Sequence, residues 1–131
     1  MKIVITGGLG FIGSHTCLAL SQAGHDLWIV DNQCNSDLSV LDALNTLASS
    51  KIFFENIDLR DDVSLKRFFL EVRPDAVMHF AGVKSVAESV RDPLKYYDNN
   101  VIGTIKLLQT MDEVGCASII FFVFCHSVWR T

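Results

Sequence analysis

The sequence predicts an α/β fold: a parallel sheet of about five strands with helices on both faces. Two observations carry that prediction. Apolar, strand-like runs alternate with helix-like stretches along the whole chain, and the runs are apolar at nearly every position rather than at every second one. Strands buried on both faces read this way, and parallel pairing requires the intervening helices as crossovers. A third observation, a glycine-rich string between the first strand and the first helix, indicates where such a sheet would bind a ligand.

The elements follow in order. Lys2 to Thr6 is a β-branched run closed by glycines and reads as a buried strand. Phe11 to Ala23 carries Ile12, Cys17, Leu18 and Leu20 near helical spacing, and Gly24 follows where a helix C-terminus wants glycine. Leu27 to Val30 is the second strand, with Asp31 directly after it. Asp37 to Leu47 is a helix with Leu38, Leu41, Leu44 and Leu47 in register, and Ile52 to Phe54 is the third strand. Ser64 to Val72 is a helix with Leu65, Phe68 and Phe69 on one face, and Ala76 to His79 is the fourth strand. Leu94 to Met111 is the longest helix, and Ile119 to Val123 is the fifth strand. There is no repeat, low-complexity segment or linker.

Composition excludes several classes. At 131 residues and 14.6 kDa the chain is one domain or part of one. Half the residues are hydrophobic and a fifth are charged, which argues against intrinsic disorder. A formal charge of −4 offers no basic footprint for nucleic acid. The apolar run before Thr6-Gly7-Gly8 is too short for a signal-peptide core or a membrane span. Cys17, Cys34, Cys116 and Cys125 lack C-x-x-C spacing and read as reduced thiols of a cytoplasmic protein. His15, His25 and His126 are far apart and show no metal-ligand spacing.

The glycine string Thr6-Gly7-Gly8-Leu9-Gly10-Phe11-Ile12-Gly13 satisfies G-x-G-x-x-G through Gly8, Gly10 and Gly13, and G-x-x-G-x-x-G through Gly7, Gly10 and Gly13. Either way, glycines let the chain turn tightly and let a pyrophosphate approach the backbone. The helix N-terminus then presents free N–H groups and the positive end of its dipole. Asp31 stands eighteen residues after Gly13. A carboxylate there accepts hydrogen bonds from an adenosine ribose and repels a 2′-phosphate. No arginine lies between Asp31 and Lys51, so the pattern predicts NAD rather than NADP in a Rossmann-type domain. The alternative is a purely structural turn, with Asp31 capping a helix.

Further segments narrow the reading. His79-Phe80-Ala81-Gly82-Val83-Lys84-Ser85-Val86-Ala87-Glu88-Ser89 and Pro93-Leu94-Lys95-Tyr96-Tyr97-Asp98-Asn99-Asn100-Val101-x-Gly103-Thr104 closely resemble blocks of bacterial UDP-glucose 4-epimerases, members of the extended short-chain dehydrogenase/reductase family. Gly-Phe-Ile-Gly-Ser-His-Thr, ending at Thr16, and Asp31-Asn32-Gln33-Cys34-Asn35-Ser36 match as well. The resemblance runs from Met1 to about Phe121. It implies reversible interconversion of UDP-glucose and UDP-galactose with resident NAD, in a homodimeric, cytoplasmic enzyme of galactose metabolism. A tyrosine takes the sugar's 4-hydroxyl proton while C4 gives hydride to the nicotinamide. A lysine lowers that tyrosine's pKa, and a serine holds the 4-oxygen.

The resemblance also implies the cofactor contacts. Phe11 and Ile12 offer N–H groups to the pyrophosphate. Asp31, Asn32, Asn35 and Ser36 surround the adenosine ribose, and Asp58 and Leu59 flank the adenine. Phe80, Ala81 and Gly82 line the path to the nicotinamide ribose, with Lys84 a cation and Asn99 a polar contact there. Without the resemblance, Asp58 could instead cap the Arg60–Asp62 turn, Lys84 could be a solvated helix residue and Asn99 a surface amide. His79 reads as a hydrogen-bonded core histidine. Of the adjacent Tyr96 and Tyr97, at least one should face the core. Neither has a lysine four residues on, so neither is the catalytic tyrosine. Two other readings compete: a stand-alone NAD-binding module, and part of another nucleotide-sugar epimerase or dehydratase.

After Phe121 the family pattern is Ser-Ser-Ser-Ala-Thr-Val-Tyr-Gly, whereas this chain has Phe122-Val123-Phe124-Cys125-His126-Ser127-Val128-Trp129-Arg130-Thr131. Written as degenerate codons and read from the second base, that tail can encode the family string. The sequence therefore predicts a Rossmann domain over 1–121, incomplete as a sheet, then an out-of-frame tail over 122–131 and no substrate domain. Phe124 occupies the family serine position and the tyrosine and lysine are missing, so this chain is expected to bind NAD at most. The apolar run from Ile119 to Phe124 is an aggregation hazard.

Overall fold

The computed structural model describes residues 1–122; the tail readings at Phe124, Cys125, His126 and Trp129 lie outside the described residues. Five strands form one parallel sheet in the order β3-β2-β1-β4-β5: β1 (Lys2–Thr6), β2 (Asp26–Asp31), β3 (Ile52–Asn56), β4 (Ala76–His79) and β5 (Ile119–Phe121). Helices α1 (Phe11–Gln22) and α2 (Ser39–Leu47) lie on one face, and α3 (Asp62–Val72) and α6 (Gly103–Val114) on the other. Between β4 and α6 run α4 (Val86–Arg91), α5 (Pro93–Tyr96) and a single π-helical stretch, Tyr97–Ile102.

The strand pleat divides the core. Ile3, Ile5, Leu27, Ile29 and Ile52 face α1 and α2 with Cys17 and Leu44. Val4, Val30 and Val77 point the other way, onto Leu65, Phe68, Phe69, Leu107 and Met111 of α3 and α6. Strands β1, β2 and β4 contribute to both clusters, which is why their runs are apolar at successive positions. Burial pushes the Cys17 thiol up to about 12, so that sulfur is an inert packing atom.

Helix ends follow local chemistry. Gly24, at φ +83°, closes α1: its N–H donates to Ser21 O, and His25 N–H reaches back to Leu20 O. Asp61 caps α3 by accepting from Ser64 N–H, so that helix starts two residues before the periodicity places it.

Two expectations need correction. The helix predicted over Leu94–Met111 is three segments, because the chain widens to π geometry at Tyr97–Ile102 before α6 resumes. Neither tyrosine faces the core. Tyr96 is half-buried with its hydroxyl donating to Glu88 on α4, and Tyr97 is exposed. The side chain is amphipathic, and its polar hydroxyl takes a surface carboxylate as partner.

Candidate functional site

From β1 the chain passes to β2 on one side, while β4 lies on the other; ligands of such sheets sit outside the strand ends at this reversal. A cleft of about 360 Å³ opens there. Its floor is the turn from β1 into α1, and Gly7, Gly10, Phe11, Ile12 and Gly13 line it. Gly7 adopts φ +69°, and a Cβ on it would lie 2.5 Å from Ala81 N. A Cβ on Gly13 would collide with Gly7 O. Gly8 instead faces Ile29 in the core and does not line the cleft. Of the two glycine patterns in the sequence, the one through Gly7, Gly10 and Gly13 is therefore the one that shapes the floor.

Helix α1 begins against this floor with no side-chain cap and no acidic residue in its first turn. The N–H groups of Phe11, Ile12 and Gly13 have no carbonyl one turn earlier to donate to, so the cleft receives a positive helix end. Phe11 stands exposed on the rim, its ring edge-on to His15 at 4.9 Å.

Asp31 ends β2 and is buried. Its Oδ2 accepts from Leu9 N–H at 3.2 Å; its Oδ1 accepts from Gln33 N–H and from the Ser36 hydroxyl, both at 2.9 Å. Asp31 thus ties the glycine turn to the loop after β2 and caps no helix. Gln33 holds φ +57°, a strained conformation for a non-glycine residue, at this corner. Asn32 and Asn35 line the cleft beside Asp31, as do Val30 and Cys34, which the sequence did not single out. Ser36 does not line the cleft itself and spends its hydroxyl on Asp31.

On the same side Ile57 and Leu59 supply apolar walls. Asp58, between them, does not line the cleft. Its carboxylate takes Asn32 Nδ2 at 3.0 Å and the Arg60 N–H and guanidinium at 2.7–2.9 Å. The Arg60 bonds hold it well below the usual carboxylate range. It does cap the turn at Arg60, and Asn32 is oriented from behind. Arg60 also reaches Asp98 on the π-helical stretch at 2.6 Å.

The far end of the cleft is lined by Phe80, Ala81, Gly82, Lys84 and Asn99. Lys84 Nζ donates to Phe80 O at 3.1 Å, folding this loop back on itself. Beneath it His79 is buried, with Nδ1 2.6 Å from Thr6 Oγ1 and Nε2 3.1 Å from Thr104 Oγ1. The Thr104 hydroxyl donates to Asn100 O, so it accepts from His79 Nε2–H, and Nδ1 accepts from Thr6. Burial, with the nearby Lys84 charge, lowers this histidine to about 4, and it is neutral at pH 7. It is the core histidine the sequence predicts. A second cavity of about 480 Å³, lined by Val83, Asn100, Thr104, Phe121 and Phe122 among others, adjoins Ala81, Gly82 and Lys84.

The strand order, the glycine turn at the reversal and the carboxylate at the end of β2 define a Rossmann-type domain. A family model described as GDP-mannose 4,6 dehydratase matches residues 4–127. A UDP-glucose 4-epimerase of Neisseria meningitidis serogroup B is 50% identical over 120 residues, covering 92% of this chain and 35% of that protein. One from Klebsiella pneumoniae is 45% identical over 121 residues, covering 92% of this chain and 87% of that sequence. The crystal structure of the Bifidobacterium longum UDP-glucose 4-epimerase, in complex with NAD+ and UDP, superposes with a TM-score of 0.90 at 39% identity, covering 92% of this chain and 36% of that one. The chain belongs to the UDP-glucose 4-epimerase family of nucleotide-sugar enzymes, and spans about 35% of the length of the Neisseria relative.

Proposed function

We propose that these residues form the NAD-binding part of an enzyme that interconverts UDP-glucose and UDP-galactose. The observation that carries this is the continuous cleft running from Asp31, over the uncapped start of α1, to Lys84. Its floor is a cradle that a Cβ at Gly7 or Gly13 would fill, which fits a pyrophosphate lying against the backbone.

In this reading Gly7, Gly10 and Gly13 admit the pyrophosphate, and Phe11 and Ile12 donate N–H groups to it. Asp31 accepts from the adenosine ribose, helped by Asn32 and Asn35, with Ser36 holding the Asp31 carboxylate in place. Leu59 packs on the adenine, and Asp58 fixes Asn32 from behind. Phe80, Ala81 and Gly82 form the wall beside the nicotinamide ribose, with Lys84 and Asn99 as its polar contacts. Bound NAD would supply a two-electron acceptor that takes a hydride and returns it. The second partner is a UDP-hexose. The outward apolar residues Val101, Ile105 and Leu108 along one face support the homodimer implied by the family.

Among the 131 residues neither tyrosine has a lysine four positions on, and Phe124 stands at the family serine position. This polypeptide is therefore proposed to bind NAD without turnover. Losing the acid/base group alone costs a factor of about 100 to 10,000. Purified 131-residue protein should form no UDP-galactose from UDP-glucose. Grafting residues 1–121 in place of the matching segment of the Neisseria enzyme should give an NAD-dependent epimerase. A graft that folds yet leaves UDP-glucose unchanged would overturn the assignment. A stand-alone NAD-binding module is the competing reading, and the graft separates the two.

A further inference from the structure

Asn100 lies outside the cleft lining and is bonded to Val83, which sits between the lining residues Gly82 and Lys84. Its side-chain Oδ1 accepts from Val83 N–H and its Nδ2 donates to Val83 O, both at 2.9 Å. One amide thereby satisfies both backbone groups of a single loop residue, as a neighbouring strand would. This pairing also fixes the amide's orientation, because a flipped side chain would oppose donor to donor and acceptor to acceptor. Gly82 packs directly on the same amide: a Cβ there would lie 3.2 Å from Asn100 Oδ1.

Asn100 is itself held. Its carbonyl accepts from the Thr104 hydroxyl at 2.6 Å, and Thr104 is bonded through His79 to Thr6 on β1. The π-helical stretch that contains Asn100 also carries Asp98, gripped by Arg60, and Asn99, which reaches the cleft. A π-turn in place of regular helix is a frequent mark of a functional position. Here it presents Asn99 to the cleft while its neighbour Asn100 engages the loop after β4.

We propose that Asn100 is a positioning residue: its amide fixes the Ala81–Lys84 loop and so sets the affinity of the nicotinamide end of the cleft, without touching the cofactor. This rests on the reading of the cleft as an NAD site. The adenosine end, built on Asp31, Asn32 and Leu59, is outside the clamp's reach. Loss of the clamp should thus weaken a ligand only when that ligand extends past the pyrophosphate.

The test titrates the 131-residue chain with NAD and, separately, with AMP. Asn100→Ala removes both bonds to Val83. It should weaken NAD by roughly 10-fold and leave AMP within about 2-fold. Hydrogen exchange at Val83 N–H should accelerate in step. AMP binding doubles as the folding control. If Asn100→Ala loses AMP altogether, Asn100→Asp carries the test, since it keeps the volume and sets a carboxylate oxygen against Val83 O. Equal weakening of NAD and AMP by Asn100→Asp, or no weakening of NAD by either variant, overturns the positioning role. Wild-type chain that binds AMP but not NAD overturns the NAD reading of the cleft, and the positioning role with it.

Discussion

Gly7 and Ala81 meet at the floor of the cleft, so closely that a Cβ on Gly7 would lie 2.5 Å from Ala81 N. The turn after β1 and the loop after β4 are packed backbone against backbone, and Gly7 also holds φ +69°. Gly7→Ala should therefore cost about 1–3 kcal/mol of stability and abolish NAD binding. Gly24→Ala is the control: it also has positive φ, at +83°, but nothing lies within 4 Å of the new Cβ. It should cost about 1 kcal/mol and leave NAD affinity unchanged. Denaturant melts with parallel NAD titrations check both.

His79 makes stability depend on pH. Its folded pKa is lowered from 6.5 to about 4, so between those values the unfolded chain binds the extra proton. The contribution is fully present above pH 6.5 and is lost as pH falls toward 4. It amounts to at most about 3 kcal/mol. Urea midpoints measured from pH 7.5 to 4 should fall, and His79→Gln should flatten the slope in that window. An unchanged slope would show that His79 is not buried neutral.

Much of this was legible in the sequence. The four strands β1 to β4 fall where apolar runs place them, because a strand buried on both faces writes itself as consecutive apolar residues. The glycine turn and the acid at a strand end were legible because each is a short local signal, even though eighteen residues separate Asp31 from Gly13. Helix α4 was missed although Ser85-Val86-Ala87-Glu88 carries a capping signal, with Ser85 accepting from Glu88 N–H. The π-turn was not legible, since apolar periodicity tolerates one extra residue. Neither was the Asn100 amide, whose partner is another residue's backbone seventeen positions away.

Strand β5 is the outermost strand on its side among the described residues; Ile120 and Phe121 on it, and Phe122 just after it, are half-exposed. Such an edge templates pairing between chains. Ile120→Lys should raise soluble yield and delay aggregation followed by light scattering, with NAD binding retained. Unchanged aggregation would place the hazard elsewhere.

The tail makes a prediction about nucleic acid sequence. Codons for Phe122 to Arg130, read one base on, should spell Ser-Ser-Ser-Ala-Thr-Val-Tyr-Gly, with an extra T in the run encoding Phe121-Phe122. Sequencing the genomic DNA across these codons decides it: codons that cannot encode the family string in the next frame contradict the frameshift.

In the proposed function, Asp31 and the glycine turn hold NAD. Calorimetric titration of the 131-residue chain tests it most directly. NAD should bind, and NADP should bind far more weakly because its 2′-phosphate meets the Asp31 carboxylate. Asp31→Ala should lose at least about 10-fold in NAD affinity. Asp31→Asn, which keeps an acceptor for Gln33 N–H and the Ser36 hydroxyl, controls for the local fold. No binding of NAD by the wild-type chain, or equal binding by Asp31→Ala, would show that this cleft is not an NAD site built on Asp31.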